Sequence, residues 1–265
     1  DAFSDETLRD QMQTYTRGWL YFIWPGLLKE GRLETDMGRI EQYYRRRGYL
    51  DAQAEAYYDH SRDFERITVR VVVYEGEQYT LKGLDFEGNT VFTDQELARE
   101  ISLSVGEPYS PADAESSQQT IRNLYQNQGY MDVSPRRDTL RMQVVPNPDT
   151  RTVDVRFQVQ EGNPVYIGRV RIKGLTKTRD AVVRRNLTFE PGERASREKM
   201  DKSERELRNT QYFERQAPNR GVNIELEPSE EQVRDAIVRV QEGQTGSLFL
   251  GGGLSSEAGF FGQFT

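Results

Sequence analysis

The chain has 265 residues, of which 35% are hydrophobic and 30% charged, and it carries a net charge of −7. The absence of cysteine excludes a disulfide framework and a cysteine metal site, and the acidic balance argues against nucleic acid as a partner. The sequence contains no run of 18 or more apolar residues, so no transmembrane helix is predicted. An aromatic content of 11% is too high for a disordered chain, and the length suits two or three small domains.

Short motifs recur along the chain, and such internal repeats decide the fold. Gly48-Tyr49-Leu50-Asp51 matches Gly129-Tyr130-Met131-Asp132, and the dipeptide Glu-Gly follows a β-rich run at Glu75, Glu161 and Glu242. The repeats predict modules at residues 1–76, 77–162 and 163–243, joined without linkers, and a different segment at 244–265. Because residue 1 stands at the start of a helix, we expect the first module to lack its first strand.

The first module begins with a helix capped by Ser4, with Phe3 and Leu8 as a hydrophobic staple. An apolar stretch, Trp19–Leu28, follows and is interrupted by Pro25, which makes it too short to span a bilayer. It is either a helix end that fills the core or an exposed interaction patch. The elements predicted here are a helix from Ser4 through Met12 and Tyr15, a helix over 36–47 ended by a left-handed Gly48, and strands near 52–58 and 66–74.

The second module is the most complete. Thr93 and Glu96 form a predicted capping box, and Ser110-Pro111 is a typical helix start. Strict alternation places Val153, Val155, Phe157 and Val159 on one face of a strand. The predicted elements are a strand over Tyr79–Glu87, helices over 94–103 and 111–128, a strand over Arg136–Val145, a turn at 146–149 and a strand over 153–159.

The third module repeats this order more loosely. Gln211 stands where Gly129 stood, which is expected to change the end of the second helix, and Arg179 replaces the Thr93 cap, which is expected to weaken it. The predicted elements are a strand over Tyr166–Lys173, helices over 180–187 and 197–210, and strands over 222–227 and 232–241.

The last segment, 244–265, loses charge and gains glycine and aromatic residues. Leu248, Leu250 and Leu254 share one parity, as a membrane β-strand of about 9–11 residues would require. The alternative is a glycine-rich tail.

No catalytic constellation is found. His60 is the only histidine, and Gly251-Gly252-Gly253 lacks the Gly-Lys-Ser/Thr of a phosphate loop.

The order strand-helix-helix-strand-strand, the Gly-Tyr after the second helix and the closing Glu-Gly resemble polypeptide-transport-associated (POTRA) domains. Three such modules followed by a glycine-rich strand resemble the periplasmic part of the outer-membrane protein assembly factor family of Gram-negative bacteria. The resemblance implies an α+β fold, in which each module has a three-stranded mixed sheet covered by two helices, followed by the first strand of a transmembrane β-barrel. It also implies a location at the bacterial outer membrane, with the modules in the periplasm.

In this family the strand after the second helix is an exposed edge, which can receive unfolded outer-membrane proteins by β-augmentation and pass them to the barrel. The other partners implied are accessory assembly-machinery lipoproteins and outer-membrane lipid, with no nucleic acid, cofactor, nucleotide or enzymatic activity. The residues of the second module that fall on this edge are Arg137, Asp138, Thr139, Leu140, Arg141, Met142, Gln143 and Val144.

Two alternatives stay open: a related secretion or translocation protein with the same modules, and a soluble envelope adaptor without a barrel. The sequence after Thr265 would separate them, because a barrel needs roughly eight or more alternating segments.

Overall fold

The computed structural model describes residues 2–13, 30–60, 67–214, 221–229, 231–243, 250–255 and 259–264. Tyr15, the Trp19–Leu28 stretch and Leu248 lie outside the described residues. The chain forms two compact units, residues 1–122 with 135–160 and residues 123–134 with 161–265.

The elements follow one another in the same order in the second and third repeats. The first repeat contains α1 (Asp5–Arg9), α2 (Glu30–Arg45), β1 (Gln53–His60) and β2 (Ile67–Tyr74). The second contains β3 (Thr80–Glu87), α3 (Asp94–Glu100), α4 (Pro111–Asn127), a 3-10 turn (Pro135–Arg137), β4 (Leu140–Asn147) and β5 (Thr152–Val159). The third contains β6 (Tyr166–Lys173), α5 (Asp180–Arg184), α6 (Arg197–Asn209), β7 (Val222–Leu226) and β8 (Val233–Val240), and is followed by β9 (Leu250–Ser255) and β10 (Gly259–Phe264).

The strands form separate sheets. The second sheet has the order β3-β5-β4, with β3 parallel and β4 antiparallel to the central β5. The third sheet repeats this arrangement as β6-β8-β7. The first sheet has two antiparallel strands, β1 and β2, within the described residues, and β9 pairs with β10 in an antiparallel hairpin. The predicted α+β class with three-stranded mixed sheets is confirmed.

The apolar residues that alternate in the sequence are the buried residues of the sheets. Val153, Val155, Phe157 and Val159 are buried on β5, while the residues between them face outward, as predicted. Phe157 stacks on Phe86 of the neighbouring parallel strand, with ring centroids 5.8 Å apart. The third sheet buries the same parity on β8, with Ala236, Val238 and Val240 in its core.

Helix starts follow the predicted caps. The Thr93 hydroxyl accepts the Glu96 amide, and the Glu96 carboxylate accepts the Thr93 amide, which completes the capping box. The Ser4 hydroxyl accepts the Thr7 amide in the same way. Arg179 makes no side-chain cap bond at the start of α5, so the weaker cap predicted there is confirmed.

Three predicted helices are too long, and the helix predicted over 36–47 begins earlier, at Glu30. The α5 helix, predicted over 180–187, ends at Arg184, because the amides of Asn186 and Leu187 bond to carbonyls three residues back. The α1 helix ends at Arg9, because the amides of Gln11 and Met12 bond to carbonyls three residues back and close turns instead of continuing the helix. The α3 helix ends at Glu100, because Ile101 adopts an extended conformation. These local backbone bonds are not visible in the apolar pattern that predicted the helices.

The second helix is followed by a left-handed residue in all three repeats. Gly48 and Gly129 have φ of 93° and 88°, so the left-handed conformation predicted at Gly48 is confirmed. Gln211 takes the same conformation with φ of 62°. The closing hydrogen bond differs, however: the amides of Tyr49 and Tyr130 donate to the carbonyls of Tyr44 and Tyr125, whereas the Tyr212 amide donates to the Thr210 hydroxyl. The expected change at this helix end is therefore found in its hydrogen bonding, while the left-handed conformation is kept and the Cβ of Gln211 bears the steric cost.

We predict that Gln211→Gly raises the free energy of unfolding by about 1 kcal/mol, because glycine adopts positive φ without the steric cost of a Cβ. Chemical denaturation of the chain measures it. Gln211→Ala, which keeps the Cβ, is the matched control and should give no gain. A glycine variant no more stable than the alanine variant would contradict the strain argument.

The reverse change, Gly129→Val, should lower stability by at least about 1–2 kcal/mol. A Cβ built on Gly129 would stand 2.5 Å from Cγ of Arg194, so the substitution adds a clash to the unfavourable backbone conformation. The same denaturation experiment reports it, and an unchanged midpoint would contradict the assignment.

Candidate functional site

The predicted edge residues divide between a turn and a strand. Arg137 closes the 3-10 turn, Asp138 is left-handed with φ of 60°, and Thr139 precedes β4. The prediction of a strand over Arg136–Val145 is therefore wrong at its start. Pro135 fixes a backbone angle that suits the 3-10 turn, and aspartate tolerates the left-handed conformation that follows it. The remaining predicted residues, Leu140, Arg141, Met142, Gln143 and Val144, lie in β4.

The β4 strand lies at the edge of the second sheet, and among the described strands it pairs only with β5. The Gln160 amide donates to the Thr139 carbonyl at 2.8 Å, which fixes the phase of the antiparallel ladder. Because backbone groups alternate in direction along such a ladder, Arg141 and Gln143 bond towards β5. The amides and carbonyls of Leu140, Met142 and Val144 therefore point outward.

The two faces of β4 differ in polarity. Leu140 is buried, and Met142 and Val144 are half-buried on the face that β5 turns to the core. Arg141 and Gln143 are exposed on the other face, and Val145 beside them is 59% exposed. A strand laid against β4 would thus meet an apolar row on one face and a mostly polar row on the other.

Arg141 is held by a local ion pair. Its Nε donates to the Asp138 carboxylate at 2.7 Å, and a second guanidinium nitrogen contacts the other oxygen. This hydrogen bond lowers the pKa of Asp138 below its ordinary value. The pair is exposed to solvent, so it contributes little to stability.

The outward backbone groups of β4 that can bind another strand are limited at both ends of the strand. The Gln118 side chain of α4 donates to the Leu140 carbonyl at 3.1 Å. Pro146 lies in the outward phase and has no amide hydrogen to offer. Between these limits, no described group outside β5 bonds the backbone of Met142 or Val144. The edge therefore presents two successive outward residues, Met142 and Val144, whose backbone donors and acceptors can pair with an extended segment.

The recurring Glu-Gly has a structural role that the sequence did not reveal. Glu75 accepts the Tyr44 hydroxyl at 2.7 Å and the Ala2 amide at 2.9 Å, and Glu161 accepts the Tyr125 hydroxyl at 2.9 Å. In the first repeat, the carboxylate that closes the last strand thus holds the start of the repeat and its second helix together. Burial and the bond to Glu75 raise the pKa of Tyr44.

In the third repeat, Glu242 bonds the segment that precedes α5. It accepts the backbone amides of Thr176, Lys177 and Thr178, and also the Thr176 hydroxyl. The bonds from Thr176 and Thr178 lower the pKa of Glu242 far below its ordinary value. The carboxylate therefore stays charged through the physiological range.

The repeated Gly-Tyr-x-Asp segment contacts the following repeat. The Gly48 carbonyl accepts the Tyr79 amide, and the Gly129 carbonyl accepts the Val165 amide, both at 2.8 Å. Asp132 then receives two bonds from the guanidinium of Arg234, which is only 5% exposed. Residues 123–134 are tied in this way to the third sheet, and a buried arginine is neutralised.

Within the described ranges, no group of three or more histidine, aspartate or glutamate side chains could hold a metal ion. No helix there is long and apolar enough to cross a membrane.

Comparison with known proteins identifies the repeats. The POTRA family model, described as a surface antigen variable number repeat, matches three stretches, residues 1–76, 79–162 and 165–243. The Haemophilus influenzae BamA POTRA3-5 crystal structure superposes with a TM-score of 0.63 at 20% identity, covering 91% of this chain and 92% of that one. The chain therefore belongs to the POTRA family.

The curated relatives are assembly factors. A candidate outer membrane protein assembly factor of Treponema pallidum is 30% identical over 98% of this chain and 30% of its own length. The outer membrane protein assembly factor BamA of Nitratidesulfovibrio vulgaris is 29% identical over 96% of this chain and 31% of its own. The chain thus spans about a third of these relatives. Homologues of the BamA kind place such modules in the periplasm, attached to the outer membrane.

We predict that Glu242→Gln lowers the melting temperature of the third repeat at neutral pH. The pKa of Glu242 is lower in the folded state than its ordinary value of 4.5. The charged carboxylate therefore stabilises the fold fully at pH values above 4.5, and this stabilisation is lost as the pH falls through the folded-state pKa. The difference between parent and variant should be constant from about pH 6 to 8 and shrink below about 4.5. Thermal melts over this range measure it.

The matched control is Glu190→Gln, which removes an exposed carboxylate of the same unit and should change the melting temperature little at any pH. A Glu242→Gln difference that grows as the pH falls would contradict the assignment.

Proposed function

We propose that this chain is the periplasmic part of an outer-membrane protein assembly factor, and that β4 receives unfolded outer-membrane proteins by β-augmentation. The observation that carries the proposal is the pair of uncovered outward backbone groups at Met142 and Val144. Backbone bonds do not depend on the client's side chains, so one edge serves many sequences. The relatives' role as assembly factors supplies the class of client.

The polarity of the two faces of β4 matches that of outer-membrane protein strands. Strands of outer-membrane proteins alternate apolar and polar residues. A client strand beside β4 would put its apolar row next to Met142 and Val144, and its polar row next to Arg141 and Gln143. Because only Met142 and Val144 offer outward backbone groups without a described partner, pairing with a client is weak. Weak pairing fits a site that must release its client.

We further propose three modules at residues 1–76, 77–162 and 163–243. The separate sheets support these limits. In the second and third sheets a parallel strand, β3 or β6, lies beside the central one, and β2 has no such neighbour among the described residues. Accessory assembly-machinery lipoproteins and outer-membrane lipid are the other partners proposed, and no cofactor or catalysis is required.

Residues 244–265 are proposed to begin the transmembrane barrel to which clients pass. The backbone of β9 and β10 forms a hairpin, with Leu250 paired to Phe264 and Leu254 to Phe260. Adjacent antiparallel strands are the building unit of a membrane barrel.

We predict that Val144→Pro weakens client binding by about fivefold or more, while the fold is kept. Proline removes one outward donor, and the loss of one net hydrogen bond is worth about 0.5–1.5 kcal/mol, to which the ring adds a steric block. Crosslinking from a photoreactive residue at Gln143 to an unfolded outer-membrane barrel protein, diluted from urea, measures binding. Circular dichroism must show the parent's fold.

Two further variants test the phase of the edge. Val145→Pro removes an amide that bonds towards β5, so it should destabilise the sheet itself. Arg141→Gln changes an exposed side chain and should leave crosslinking nearly unchanged. If a folded Val144→Pro variant crosslinks as well as the parent, β4 is not the client site.

We predict that Leu248, Leu250 and Leu254 face lipid in the membrane-embedded full-length protein, because they share one parity of a barrel strand. Single cysteines at these positions should resist a water-soluble thiol reagent, whereas Gly251 and Gly253 replaced by cysteine should react. Equal labelling of both parities would indicate a glycine-rich tail.

A further inference from the structure

The third sheet has a buried carboxylate at its antiparallel edge. Glu204 of α6 is only 8% exposed, and its Oε1 accepts the Ile224 amide of β7 at 2.8 Å. Its Oε2 accepts a guanidinium bond from Arg208 at 2.6 Å. Both oxygens of a buried charge are thus satisfied, and the cost of losing either donor is high.

The ladder phase shows what Glu204 covers. The Gln241 amide donates to the Gly221 carbonyl, and the Glu227 amide to the Asp235 carbonyl, both at 2.8 Å. The residues between, Val222, Ile224 and Leu226, therefore point their backbone groups outward. The Glu204 carboxylate accepts the middle one of these three outward amides, that of Ile224.

The opposite edge of the same sheet is covered as well. The Ile167 amide donates to the Glu193 carbonyl at 2.8 Å, and the Ile167 carbonyl accepts the Gly192 amide at 2.7 Å. Arg184 then donates to the Val170 carbonyl at 3.2 Å. Side chains and a loop thus bond outward groups on both outer strands of the third sheet.

The second sheet differs at the equivalent helix position. Glu41, Arg122 and Glu204 each lie three residues before the matching helix residues Tyr44, Tyr125 and Leu207. Glu41 accepts the Ala54 amide of β1 at 3.2 Å, as Glu204 accepts that of Ile224. Arg122 carries only donors and cannot accept an amide.

We propose that Glu204 closes the β7 edge to client strands, so that pairing in the second and third modules is confined to β4. A strand that paired with β7 would have to take the Ile224 amide from Glu204 and leave a buried carboxylate with one partner fewer. This inference rests on the proposed role of β4 as the client site. It adds that a single helix side chain decides which module accepts a strand.

The test uses the whole chain and a ten-residue peptide that alternates valine and threonine. Amide hydrogen exchange is measured by NMR with and without saturating peptide, for the parent, Glu204→Ala, Glu204→Gln and Glu206→Ala. Glutamine keeps an acceptor for the Ile224 amide, and Glu206 is an exposed carboxylate on the same helix. These two variants are the matched controls.

In the parent, the peptide should slow exchange at Met142 and Val144 and leave Val222 and Leu226 unchanged. In Glu204→Ala it should also slow exchange at Val222 and Leu226, by at least about tenfold. The Gln and Glu206→Ala variants should behave as the parent. If Glu204→Ala loses its circular dichroism spectrum, Glu204→Ser, too short to bond Ile224 but still polar, replaces it.

Failure of this inference is distinct from failure of the client site. Protection of Val222 and Leu226 in the parent, or its absence in a folded Ala or Ser variant, overturns the closing role of Glu204. Protection at β7 in the variant, without any at Met142 and Val144, supports Glu204 and instead overturns β4 as the client site.

Discussion

A three-stranded sheet cannot close on itself, and the fold of this chain depends on how its outer strands satisfy their outward backbone groups. Each parallel outer strand is bonded by the loop between the two helices: Leu81 of β3 exchanges bonds with Gly106 and Glu107, and Ile167 of β6 with Gly192 and Glu193. The same loop thus positions the second helix and covers an edge. This leaves the antiparallel outer strand as the place where the repeats can differ.

The repeats differ there through single side chains on the second helix. A carboxylate accepts an edge amide in the first and third sheets. In the second sheet Gln118 instead donates to a carbonyl, and no described group outside β5 bonds the next two outward residues, Met142 and Val144. The backbone architecture is constant, and the chemistry of the edge is set by whether the helix presents an acceptor or a donor. A tandem array can in this way contain both closed and accepting modules without any change of fold.

Much of this fold follows from the sequence, because its signals are local. The alternation of Val153, Val155, Phe157 and Val159 predicted β5 to within one residue of its start, and the Thr93 and Glu96 pair predicted the start of α3. The start of β4 was predicted wrongly because the 3-10 turn after Pro135 and the left-handed Asp138 interrupt a polar run with no apolar period. At Gln211 the sequence correctly predicted a changed helix end, but it did not predict that the residue would keep positive φ, because the packing of the repeat overrides its preference against that conformation.

The sequence predicted that the candidate site is a strand, but it did not predict which residues of β4 point their amides outward. That alternation depends on how β4 pairs with β5, which is a tertiary property. Whether Leu140 or Arg141 offers its amide depends on the register with β5, which the bond from Gln160 to Thr139 fixes. The prediction of a turn at 146–149 was wrong at its start, because β4 continues to Asn147 and contains Pro146. A proline inside an edge strand must lie in the outward phase, so once Pro146 is known to lie in β4, counting back by two selects Val144 and Met142. Glu204 offered no such signal, since a charge on a polar helix normally indicates a solvated face. Glu204 lies three residues before Leu207, as Glu41 lies three residues before Tyr44. Only this shared position distinguishes a carboxylate that accepts an edge amide from one that faces water.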